Sequence, residues 1–115
     1  MNNERKELGK IQIFDVGFGG HQDAMLGVSI VLGGEGWGVS DHRGTWSPSH
    51  TSVGEHTKWT EADRSKIFDE TMRFIGATLS VAKVTNTRKL IGVPVEVTFE
   101  GFNKLKSWRV LKEVL

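Results

Sequence analysis

The 115-residue chain is predicted to form an α+β domain: an antiparallel sheet of four to five strands with one long helix packed on one face, in the order β-β-(β)-α-β-β. Three observations predict it. Short alternating or β-branched runs punctuated by glycine fill the first third of the chain. The apolar period then changes once from two to about 3.6, near residue 60. A pair of alternating segments around a Gly/Asn turn closes the chain. Strands and helix do not alternate, which favours antiparallel pairing with the helix on one face.

The elements follow in order. Residues 1–9, "MNNERKELG", are polar and are expected to be a flexible N-terminal segment, with a single domain over residues 10–115. In "KIQIFDVGFGG", Ile11, Ile13 and Val16 alternate with polar neighbours and predict a strand. Residues 24–34, "AMLGVSIVLGG", predict a second, supported by β-branched Val28, Ile30 and Val31. "GWGVSD" suggests a short third strand. Residues 43–58 carry turn chemistry and are expected to be a long loop. A helix is predicted over 61–83, with Thr60 as N-cap and Asp63 at its third position. Its buried face is expected to hold Phe68, Met72, Ile75, Leu79 and Ala82, flanked by Ile67, Phe74 and Val81. "VPVEVTFEG" and "LKSWRVLKEVL" form the closing hairpin, with Val93, Val95, Val97 and Phe99 on one face.

Composition narrows the function classes. Apolar residues make up 37% and charged residues 25%, which suits a folded globular chain. There is no cysteine, so neither a disulfide nor a thiolate metal site can form. "MNNERKELGK" lacks the apolar core of a signal peptide, and no run reaches the roughly 20 apolar residues that span a bilayer, so a cytoplasmic setting is expected. A formal net charge of only +1 places nucleic acid below other partners.

The stretch "GGEGWGVSDHRGTW", residues 33–46, is the strongest site candidate. It fits neither G-x-G-x-x-G nor a Walker loop. Trp37 and Trp46 could stack a flat ring, Arg43 could fork onto a phosphate or carboxylate, and Asp41 and His42 add polar groups. The bland reading is that both tryptophans close the core. Gln22 and Asp23 follow a Gly-Gly pair, where Asp23 serves a turn or accepts from a ligand. Trp59 precedes the N-cap and reads first as a hydrophobic staple. Arg64 opposes the helix dipole, which an outward ion pair with Glu61 or Asp63 would explain. His21, His42, His50 and His56, with Asp23, Asp41 and Glu55, match no metal-ligand spacing, so neither metal nor other cofactor is expected. No G-x-S-x-G elbow or paired inward carboxylates occur, and no enzyme is predicted.

The blocks "GGHQDAMLGVSIVLGGEGWGV", "KWTEADR", "GVPVEVTFEG" and "LKSWRVLKEVL" resemble a family of small phage- and prophage-encoded proteins without assigned activity, over residues 19–115. The resemblance implies the cytoplasm of a bacterial host as the setting and carries no catalytic residues. The expected function is an accessory binding protein that sequesters a small nucleotide-type ligand as a counter-defence, possible as a homo-oligomer. The alternative is an inhibitor that blocks a host defence protein by surface complementarity. A single-stranded nucleic-acid binder ranks third.

Overall fold

The computed structural model describes residues 4–54 and 57–115. It is an α+β fold: five antiparallel strands and one long helix packed on the sheet. The strands are β1 (Glu4–Gly19), β2 (Met25–Gly34), β3 (Trp37–Trp46), β4 (Pro94–Glu100) and β5 (Lys104–Val110), with α1 (Glu61–Ala82) between β3 and β4. The sheet order is β3-β2-β1-β4-β5. Among the described residues no helix is long and apolar enough to cross a membrane.

β1 begins at Glu4, inside the segment expected to be flexible, and its first half pairs with β4 from Glu4↔Glu100 to Lys10↔Pro94. Residues 1–3 lie outside the described residues. The partner strand is some ninety residues away, so local polarity could not reveal the pairing. Arg5 places its guanidinium 4.7 Å from the centre of the Phe99 ring, so a residue that reads as tail becomes a cover for the core.

A bulge at Gln12 breaks the expected alternation. Ile11 pairs with Leu32 while Ile13 pairs with Val31, so one extra residue sits in β1. Ile11 and Phe14 therefore point into the core at 1% and 2% exposure, whereas Ile13 faces out. β3 also exceeds its expected length: it runs on through Arg43 to Trp46, held by β2 from Gly34↔Trp37 to Met25↔Trp46. Turn residues predicted a loop there, but cross-strand pairing outweighs them. In the hairpin, Val95, Val97 and Phe99 are buried as expected, and a shift between Thr98 and Phe99 lets both Leu105 and Trp108 pack on the core.

α1 starts with a full capping box: Asp63 N–H donates to Thr60 Oγ1 at 3.1 Å and Thr60 N–H donates to Asp63 Oδ2 at 2.8 Å. It ends at Lys83 in a left-handed conformation. The buried stripe is Arg64, Thr71, Ile75, Thr78 and Ala82: Ile75 and Ala82 are buried as expected, with Phe74 and Leu79 packed beside them, whereas Met72 is 68% exposed and arginine and threonine take the remaining inner positions. Threonine is tolerated inside because each hydroxyl donates within the helix, Thr71 to Ile67 O and Thr78 to Phe74 O, both at 2.8 Å.

The sheet curls strongly. β3 and β5 are its opposite edges, yet Trp108 Nε1 donates to Asp41 Oδ2 at 3.1 Å across the concave side. Phe74 of α1 fills that concavity, stacking on Phe14 and meeting Trp108 edge-on.

Candidate functional site

The structure distributes the eight candidate residues over four places. Trp37 and Trp46 occupy opposite ends of the ten-residue β3, about 30 Å apart at a strand rise of about 3.3 Å per residue. With Arg43 between them, they do not share one cleft. That expectation rested on the segment being a folded-back loop, and an extended strand pulls its ends apart.

Trp37 is half-buried against the core. A Cβ on Gly9 would lie 2.7 Å from Trp37 Cζ2, and one on Gly34 would lie 2.4 Å from Trp37 Nε1. The indole thus fills the space of two absent side chains, and its edge meets the Phe99 ring at 5.4 Å. Glycine at 9 and 34 is required by Trp37 together with the close backbone carbonyls of Gly33 and Leu8.

Asp41 and Arg43 are engaged with each other and with the closure of the sheet. Arg43 Nε lies 3.5 Å from Asp41 Oδ2, and the guanidinium sits 3.9 Å over the Phe74 ring. Asp41 also accepts from the His42 N–H and from Trp108. His42 is exposed and, with Arg43, Ile67, Glu70 and Thr71, borders a small hollow of about 200 Å³ between β3 and α1.

Gln22, Asp23 and Trp46 do come together at the far end of the sheet. Gln22 and Asp23 adopt left-handed φ of 55° and 54°, a costly conformation for non-glycine residues. Their turn is tied to β3 through Ser47 N–H donating to Ala24 O at 2.8 Å, and Trp46 meets the His21 ring edge-on. His50 packs edge-on against Phe18 and shares its Nδ1 with Ser49 Oγ at 3.2 Å. Glu55 and His56 lie outside the described residues. Among those described, no three His, Asp or Glu side chains gather as metal ligands would.

Trp59 stands over Arg64, its ring centre 4.9 Å from the guanidinium carbon. This is the staple geometry, with the position four residues into the helix filled by an arginine. Arg64 is not outward: it is 2% exposed, donates from Nη2 to Thr51 O at 2.6 Å, and pairs at 3.5 Å with Glu61. The chain approaching the helix folds over the guanidinium stem, which makes it part of the interior.

The feature with room for a ligand lies elsewhere. An open groove of about 680 Å³ runs over Gly33 and Gly34 beside Gly9 and Gly92, with Leu8 and Ile91 as walls. Leu8 is 66% and Ile91 50% exposed. Lys10 and Gln12 supply its polar groups, and the Gln12 amide occupies the space where a Gly33 side chain would stand. Gly92, at φ +87°, turns the chain so that its N–H reaches Ile11 O at 2.7 Å. Only Gly33 and Gly34 come from the stretch singled out in sequence. Leu8 was hidden by reading residues 1–9 as a tail, Gln12 by the bulge, and Ile91 and Gly92 by lying between the predicted helix and the closing hairpin. An isolated leucine among charges, directly before a glycine, was the available signal.

No family model matches the chain, and no curated protein or solved structure matches it.

Proposed function

We propose that the protein is a binding module for a small, flat ligand of nucleotide type, held in the glycine-floored groove. The supporting observation is the groove itself: a hollow of about 680 Å³ lined by Leu8, Lys10, Gln12 and Ile91 beside Gly33 and Gly34. Its volume falls within the range of about 300–1,000 Å³ usual for small-molecule sites. Leu8 and Ile91 offer apolar contact to a flat ring, and the side chain over Gly33 is the movable Gln12 amide. The Gln12 amide presents both donors and an acceptor, the chemistry that reads a base edge. Lys10 is the one cation among the lining residues, which fits a ligand with a single negative charge better than a polyphosphate. Nothing in this arrangement calls for bond-making groups; holding the ligand is the whole task.

The test is thermal denaturation of the full chain with nucleoside monophosphates, their cyclic forms and cyclic dinucleotides. A singly charged member at a hundred times its Kd is expected to add about 2.7 kcal/mol of stability. Gly33→Leu should abolish the response while preserving the fold, because the atoms nearest a Cβ there belong to the movable end of Gln12. Lys10→Ala should weaken it roughly tenfold, about 1.4 kcal/mol. A flat response across the panel, or an unchanged response in Gly33→Leu, overturns the reading.

A further inference from the structure

β1 pairs with β4 over its first half and with β2 over its second, and only Lys10 has a registered strand partner on both sides. β4 follows it from Glu4 to Lys10, and the Ile11 N–H and carbonyl then bond to Val93 and Gly92. Beyond that point β4, which starts at Pro94, offers no partner, and β1 is held by β2 alone, from Lys10↔Gly33 to Gly19↔Met25. Residues 13–19 therefore have one free edge.

Backbone direction follows side-chain direction in a strand, because chirality sends the N–H and C=O of alternate residues to opposite edges. Ile11 is core-facing and bonds toward the β4 side. After the bulge, Phe14 resumes that orientation, so Phe14, Val16 and Phe18 direct their N–H and C=O groups to the free edge. Among the described residues none of those groups has a partner on that side. The adjoining side chains are apolar and more than half exposed: Val16 55%, Phe18, whose ring meets His50, 56%, and Met72 of α1 68%. Val16 and Met72 border one apolar hollow of about 190 Å³, with Leu26, Phe68 and Ile75 at its base. An open strand edge beside exposed apolar groups is a pairing surface.

We infer that this edge pairs antiparallel with the same edge of a second copy, forming a two-fold dimer with a continuous sheet. The edge is self-complementary in one register. Asp15 is its only charged residue, and a centre at Asp15 would set two carboxylates face to face. A centre at Val16 instead pairs Val16 with Val16, Phe14 with Phe18, and Asp15 with Gly17. Gly17 has no atom within 4 Å of its Cβ position, so the opposing carboxylate finds open space. All six edge groups of Phe14, Val16 and Phe18 then gain partners, and Val16, Phe18 and Met72 of both copies meet on one face. One short edge and a few side chains make an interface below the roughly 1,200–2,000 Å² of stable complexes, so the dimer is expected to be concentration-dependent.

The experiment is sedimentation equilibrium of the full chain with hydrogen exchange at the same concentrations. The wild type should shift from monomer to dimer in the micromolar range, with the Phe14, Val16 and Phe18 amides becoming protected together. Gly17 provides paired variants that cost the monomer no contact. Gly17→Asp sets a carboxylate opposite Asp15 twice and should raise the dimer Kd by roughly threefold to thirtyfold; Gly17→Lys forms two cross-strand ion pairs and should lower it. A wild type that stays monomeric at high micromolar concentration overturns the inference, including when the edge amides are instead protected by an added extended peptide. A dimer whose Kd moves the same way in both variants overturns it as well.

Discussion

At the scale of single residues, the interior holds one charge that sequence reasoning placed outside. Arg64 is wrapped by Trp59, Thr51 and Glu61, and among the described residues its Nε and Nη1 have no hydrogen-bond acceptor. An incompletely satisfied buried cation is costly, and an apolar residue of similar reach removes that cost. Arg64→Met is therefore expected to lie within about 1 kcal/mol of the wild type in urea denaturation. Arg64→Ala, which also loses the packed stem, should cost about 2–4 kcal/mol. Equal losses in both would show that the charge, not the stem, is what the fold requires. The N-cap was legible at this scale because Thr60 and Asp63 act through their own backbone. Arg64 was not, because its burial depends on a loop thirteen residues upstream.

At the scale of elements, β5 is fastened by an ion cluster. Arg109 pairs with Glu96 on β4 at 3.2 Å and with Glu113 in the turn beyond the strand at 2.9 Å. The side-chain hydrogen bond from Arg109 holds the Glu113 carboxyl down at about 2, from an ordinary value of 4.5. The folded value lies below the unfolded one, so this contribution to stability is complete above about pH 4.5 and is lost as pH falls toward 2. Arg109→Gln should return the Glu113 midpoint toward 4.5, read by carboxyl NMR titration; an unmoved midpoint would assign the depression to the neighbouring backbone instead. Helix and hairpin were legible because each is encoded by local period. The face of α1 was legible at Ile75, Leu79 and Ala82 but missed Thr71 and Thr78, because threonine, satisfied by its own helix, packs where an apolar count does not look. β1 and β3 were read too short, since strand ends are set by partners.

At the scale of the whole molecule, the curl of the sheet is closed by the hydrogen bond from Trp108 to Asp41 across its two edges. Asp41→Ala leaves the half-buried indole N–H unpaired and frees Arg43, at an expected cost of about 1–3 kcal/mol. Thermal denaturation measures that cost, and hydrogen exchange should rise in β3 and β5 together while the β1 amides bonded to β2 and β4 stay protected. Exchange that rises in β3 alone would mean that the edges do not support each other. The same closure explains why Asp41 and Arg43, attractive as ligand groups in sequence, are already spent within the fold.

Sequence by itself determined the class of fold, the capped helix and the closing hairpin, because hydrophobic period, caps and turns act over a few residues. Only the tertiary structure decided the length of β1, the bulge at Gln12, the burial of Arg64, the separation of Trp37 from Trp46 and the groove over Gly33. Each of these depends on a partner distant in the chain, and pairing at long range leaves no periodic trace in the residues that take part.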